Sequence, residues 1–234
     1  MPSIFIEDRV KFIDGKQGHW EAVYETKAAD AVSWYQPSAV RSLALVKDVA
    51  PERDARIIDV GGGASVLVDE LLATGYGNIT VLDIAQTALD QDKKRLGAAG
   101  NAVNWVAGDV CDVRLDSNTY DIWHDRAVFH FLTSANDRAA YVRQLRSALE
   151  PGGHVIVAAF AEDGPDQCSG LPVVRYSCEA IHRALGNDFE VIMTERELHQ
   201  TPSGSEQSFV YCVFHHHPAS GITNDPVFAI DLNS

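Results

Sequence analysis

Runs of aliphatic and β-branched residues alternate with stretches of helical period along most of this chain, the pattern of βαβ units around a parallel sheet. Strands are expected over 55–60 (ARIIDV), 78–84 (NITVLDI), 102–110 (AVNWVAGDV), 120–125 (YDIWHD) and 154–160 (HVIVAAF). Helical spacing covers 65–74, where Val66, Val68, Leu71 and Leu72 recur, then 85–99, and 134–153, stopped by Pro151 and two glycines. A short helix over 177–186 precedes two further strands, 189–201 and 205–216, and the PSG turn between them predicts an antiparallel pair at the end of the sheet. The chain has 234 residues, enough for one sizeable core.

The first strand ends in Asp59 and then Gly61, Gly62 and Gly63, so a ligand is expected against bare backbone there. A phosphate-cradling loop needs GxxxxGK[ST], and no lysine follows these glycines. A dinucleotide fingerprint needs a third glycine where Val66 stands, and Asp59 would set negative charge beside an anionic diphosphate. A ligand carrying a cation and no phosphate suits the loop better.

At this point the chain resembles the class I S-adenosylmethionine-dependent methyltransferases. DVGGGAS looks like that family's first motif, and the resemblance implies that Asp59 lies near the methionine amine, with Gly61 and Gly63 beneath the cofactor. It further implies that Asp83 in VLDI, 20 residues beyond Gly63, takes the ribose hydroxyls. Asp109 in AGDV then meets the adenine amino group, and Val110 or Ile84 flanks the ring. LEPGGHVIV matches the segment before the fifth strand, and the terminal strand pair matches the family's antiparallel strand seven. The implied fold is α/β, a Rossmann-like doubly wound seven-stranded sheet of order 3-2-1-4-5-7-6. The implied organisation is a helical cap over 1–50, a cofactor-binding core over 51–214 and an irregular tail over 215–234.

Methyl transfer is an in-line displacement, so the acceptor site is expected at the carboxyl end of the fourth strand, near the cofactor methyl. That place carries WHDRAVFHFL. Asp125 or His130 is expected as a base or orienting group and Arg126 as an anchor, for an anion or for Asp125; His124 points away from the cleft by strand alternation. The loop after the fifth strand adds Arg175, as an anion binder, and Cys168, as a small soft lining residue. Trp20, Tyr24 and Trp34, ahead of the first strand, are expected to form a lid. The run His215-His216-His217 is read as solvated tail and no metal is expected, since three adjacent histidines on a strand cannot all face one ion.

A net charge of −14 speaks against a nucleic-acid partner, and no apolar run approaches the about 20 residues of a membrane span. Four scattered cysteines and a start without a signal-peptide pattern predict a cytoplasmic protein. Over a wider stretch the chain is similar to small bacterial methyltransferases of the type 11/12 group, which include thiopurine, tellurite-resistance and citrate synthase lysine methyltransferases. That likeness leaves two acceptor classes open: a small soft nucleophile, a thiol, sulfide or related chalcogen, is the reading favoured for a compact site, and a protein lysine is the alternative; a non-catalytic cofactor-binding regulator is a further one. Oligomeric state is left open.

Overall fold

The computed structural model describes residues 15–217. Its sheet strands are β1 (Arg56–Val60), β2 (Asn78–Asp83), β3 (Val103–Ala107), β4 (Tyr120–Arg126), β5 (Leu149–Phe160), β6 (Phe189–Gln200) and β7 (Glu206–His216). In these labels the strand order is 3-2-1-4-5-7-6, as expected, with β7 antiparallel to both its neighbours and the rest parallel. The helices are α1 (Lys16–Thr26), α2 (Val40–Val49), α3 (Leu67–Ala73), α4 (Gln86–Leu96), α5 (Ala135–Ala148) and α6 (Cys178–Leu185). A two-residue ribbon, Gln167–Cys168 with Leu171–Pro172, stands apart from the sheet.

Because successive strand residues face opposite sides, the apolar runs feed two cores. Ile58, Trp123, Val155 and Val157 pack with Leu145 of α5 and Ile181 of α6. Ile57, Val81, Ile122 and Ile156 pack with Leu45 of α2, Val68 and Leu71 of α3 and Leu89 of α4. Strands buried on both faces explain why their sequences read as continuous apolar runs. α2, placed by sequence within the cap, buries Leu45 and Val46 against the sheet and belongs to this layer.

Three boundaries differ from the sequence expectation. α5 ends at Ala148, not 153; Pro151 disfavours helical backbone before it, and the chain enters β5 at Leu149. Pro151-Gly152-Gly153 then lies in a bulge, since Tyr120 pairs with Leu149 but Ile122 with His154. α3 starts at Leu67 rather than 65, because the loop runs through Ala64 in a left-handed conformation at φ 59°. The expected tail loses His215 and His216 to β7, and residues 218–234 lie outside the described residues.

Glu21 of α1 is a buried carboxylate whose two oxygens accept hydrogen bonds from Gln86 N (2.8 Å) and Thr87 N (3.0 Å) at the start of α4. α4 has no side-chain cap of its own, so the acid from α1 satisfies its free amides and faces the positive end of its dipole. Among the described residues, no helix is long and apolar enough to cross a membrane. Leu145→Ala, which empties the α5 side of the core, is expected to lower unfolding free energy by about 2–5 kcal/mol in a urea titration.

Candidate functional site

The order 3-2-1-4 reverses direction between β1 and β4, and the crevice beyond the carboxyl ends of those strands is where an open α/β sheet receives a ligand. Asp83 and Arg126 end β2 and β4, Asp59 stands one residue before the end of β1, and Asp109 follows β3. Gly61 N and Gly62 N both donate to Leu82 O, at 2.7 and 3.3 Å. Gly61 has φ 69°, and the Val128 side chain occupies the space a Cβ would need. At Gly63 a Cβ would come within 2.5 Å of Ala88 Cβ and 2.7 Å of Asp83 Oδ2. The loop is therefore restricted to glycine by close packing as well as by conformation.

Asp83 is the post of this loop. Its Oδ2 accepts from Gly63 N (3.0 Å) and its Oδ1 from Ala85 N (2.8 Å). Burial raises its carboxyl to about 6, against those two hydrogen bonds. Asp92 of α4 accepts from Ala64 N (3.1 Å), and burial pushes it to about 7 although Arg95 pairs with it at 2.5 Å.

A cleft opens above the loop, where an open α/β sheet receives a small-molecule ligand. Asp83, Ile84, Asp109 and Val110 line one end; Val128, Phe131, Leu132 and Cys168 line the other. Trp20, Tyr24 and Trp34 line it as well, so all three expected lid aromatics reach the cleft. Trp20 lies 5.5 Å from Trp34 and 5.0 Å from Phe131, edge to face, and Tyr24 OH donates to Gly63 O at 3.4 Å. Phe131 and Lys16 were not singled out from sequence; each becomes visible only when α1 is laid across the turn after β4.

A second cavity beside the glycine loop is lined by Asp59, His124, Ser42, Arg126 and residues 61–67. His124 sits opposite Asp59 in the β1–β4 register. Its Nδ1 is hydrogen-bonded with Asp59 Oδ1 (2.7 Å), and its Nε2 with Ser42 Oγ (2.9 Å). The expectation that His124 points away is thereby corrected: even-numbered β4 residues face α2 and the loop. Asp59 Oδ2 and Arg126 Nη2 are buried and carry no hydrogen-bond partner among the described residues. Arg126 is otherwise well held: Nε donates to Tyr211 OH (2.9 Å) and Nη1 to Trp34 O (3.1 Å), and the guanidinium stacks 4.6 Å from the Phe209 ring.

Three expected catalytic residues fall outside both cavities. Asp125 is 0% exposed and points toward α5; Oδ1 accepts from Val128 N (3.0 Å) and Phe129 N (3.3 Å), and Oδ2 from Tyr141 OH (2.7 Å). Burial raises it to about 6, opposed by those same bonds. Its work is to shape the turn after β4. His130 is buried between Phe131 and Phe160 and accepts from Phe160 N at 3.2 Å; burial, and then the Arg126 charge, hold it neutral with a pKa of about 3. Arg175 is exposed, and its Nη1 reaches only Gly164 O at 3.5 Å. The loop after β5 contributes Cys168 to the cleft instead.

The donor set fits S-adenosylmethionine. A carboxylate oxygen of Asp59 without a hydrogen-bond partner and the Arg126 guanidinium, whose Nη2 has only a 3.6 Å ion pair with Glu197 Oε2, flank one cavity, as the ammonium and carboxylate of an amino acid require. Two acids on successive strand ends suit hydroxyl and amine donors, and the cleft between them is apolar. Asp125→Asn is expected to lower the thermal midpoint, at a cost of about 1–3 kcal/mol, because one side of an amide must oppose a donor. Turnover per folded molecule is expected to hold near the parent value; a scanning fluorimetry trace with an activity assay checks both.

A family profile described as a methyltransferase domain, Methyltransf_11, matches residues 58–157, from β1 into β5. The chain is 29% identical over 122 residues to the ubiquinone/menaquinone biosynthesis C-methyltransferase UbiE of Roseobacter denitrificans. That match takes in 51% of this chain and 48% of that one, so the chain spans about half the length of the UbiE relatives it matches. The Burkholderia thailandensis 1,6-didemethyltoxoflavin-N1-methyltransferase, solved with its substrate and S-adenosylhomocysteine, superposes with a TM-score of 0.67 at 16% identity, over 86% of this chain and 87% of that one. A structure described under conversion of a disulfide bond into a thioacetal group during echinomycin biosynthesis superposes equally, with a TM-score of 0.67 at 16% identity over 86% and 92%. Residues 58–157 thus match a methyltransferase domain, and the motif order and sheet topology are similar to those of class I S-adenosylmethionine-dependent methyltransferases.

Proposed function

We propose that this protein transfers a methyl group from S-adenosylmethionine, by in-line displacement, to a small soft nucleophile of the thiol, sulfide or chalcogen class. The observation that carries the reading is the acceptor end of the cleft. Val128, Phe131, Leu132, Trp20 and Trp34 make it apolar and aromatic, and among the described residues no free carboxylate or imidazole lines that end. An acceptor there must do without an enzyme base. Thiols ionise near pH 8.5, so part of the pool is already a nucleophile at neutral pH. A lysine ammonium arrives fully protonated and needs a group to take its proton.

S-adenosylmethionine, when bound, supplies a methyl group activated by its sulfonium. Asp59 would hold the ammonium of its amino-acid end and Arg126 the carboxylate. Asp83 would accept from the ribose hydroxyls and Asp109 from the adenine amine, with Ile84 and Val110 against the ring. Trp20, Tyr24 and Trp34 would exclude water, which raises the reactivity of a desolvated anion. The Arg126 guanidinium, ion-paired with Glu197, also borders the main cleft. The small-molecule substrate of the toxoflavin enzyme and the sulfur chemistry of the echinomycin system, both properties of those proteins, are in keeping with the reading. So are four unpaired cysteines, which suit a reducing, cytoplasmic setting.

Methyl-labelled S-adenosylmethionine, incubated with the protein and either a panel of thiols and sulfide or a heat-treated lysate, is expected to yield labelled thioethers from the thiols and labelled methanethiol from sulfide. Label confined to protein bands would transfer the reading to a lysine acceptor. Cofactor affinity is expected to be full above pH 6 and to fall as pH drops through the Asp83 carboxyl at about 6, by up to tenfold per unit, because the ionised form accepts the hydroxyl hydrogen bonds. Asp83→Asn removes that pH step in a calorimetric titration.

A further inference from the structure

At the opposite edge of the sheet from the cleft, β7 ends beside the starts of β5 and β6. His215 and His217 are two residues apart and project to one side, while His216 turns to the other, buried and stacked 4.8 Å from Phe189. Glu190 of β6 lies opposite His215 in the register and reaches the same side. His215 Nδ1 is 2.8 Å from His217 Nε2, which is 2.9 Å from Glu190 Oε2, and one ligand atom from each residue lies within 4.8 Å of the others.

Proton counting makes this cluster unusual for a surface ion pair. His217 Nε2 faces an imidazole nitrogen and a carboxylate oxygen together. A neutral ring has one N–H to offer, and if that hydrogen goes to Glu190, the His215 and His217 nitrogens must share it or face each other unbonded. A divalent cation takes a lone pair from all three at once. Four-coordinate zinc with bonds of about 2.0–2.2 Å separates its ligand atoms by about 3.3–3.5 Å, a spacing these side chains meet with small rotations. The side chains of His217 and Glu190 are 56% and 66% exposed, leaving an entry path and an open position for water. His154, whose ring centroid is 4.9 Å from that of His215, borders the group from β5.

We propose that Glu190, His215 and His217 form a surface binding site for a borderline divalent transition-metal ion of the zinc class, a clasp between β6 and the end of β7. Two imidazoles and a carboxylate are a donor set such ions favour over magnesium or calcium. The site stands apart from the cleft and does not depend on the methyl-transfer reading.

The test is a titration of the untagged, chelator-stripped full chain with Zn²⁺ in competition with a chromophoric chelator. One equivalent is expected to bind. Glu190→Gln, His215→Gln and His217→Gln should each weaken binding tenfold or more, with the circular dichroism spectrum and the affinity for S-adenosylmethionine unchanged. His216→Gln, on the opposite side of the strand, should bind Zn²⁺ like the parent. Absence of binding, or binding that survives the three substitutions, would overturn the site. Co²⁺ loaded into the unmodified chain supplies a readout free of folding effects: d–d absorption of a four-coordinate nitrogen/oxygen site supports it, and the spectrum of the hexaaqua ion counts against it.

Discussion

The Asp83 carboxylate is the tie on which the carboxyl edge of the sheet depends. One oxygen holds the glycine loop through Gly63 N and the other the entry to α4 through Ala85 N. Leu82, one residue earlier, receives Gly61 N and Gly62 N. Loop, strand end and helix start thus share one small set of acceptors, and Gly63 sits against both Asp83 and Ala88. Keeping this acid out of water raises its pKa, the cost of presenting a preorganised acceptor at the floor of a mostly apolar cleft.

The cap depends on the same helix. Glu21 of α1 occupies the amino end of α4, so the lid is anchored by a buried charge–dipole contact, an interaction that contributes up to about 2 kcal/mol in buried geometry. The aromatic contacts of Trp20 with Trp34 and Phe131 then join the lid to the turn after β4. Arg126 closes the circuit by donating to Trp34 O while it stacks on Phe209 of β7. Cofactor floor, lid and acceptor wall are therefore mechanically one unit.

Strand β4 shows where the sequence was readable and where it was not. The density of titratable groups in WHDRAVFHFL correctly marks a special turn, but a run of neighbours does not say which faces the cleft. Asp125 shares its side with Trp123 and is consumed by Tyr141 and two turn amides, whereas His124 and Arg126 take the other side. The roles expected of Asp125 and His124 are thereby exchanged in position, a consequence of the twofold strand period. His130 lies beyond the strand, and only the packing of Phe131, Phe160 and Phe209 around it shows it to be core.

The sequence by itself determined the class of fold, the strand order implied by its motifs, the glycine floor and the acids at the strand ends, because these rest on local period and on positions fixed by the chain's own direction. Tertiary structure decided everything that requires two distant segments to meet. Ser42 and His124 are 82 residues apart, Glu21 and Gln86 are 65 apart, and Glu190 and His217 are 27 apart. Hydrogen-bond partnership and burial set the chemistry of each of these groups. Both arise only when the helices and strands pack.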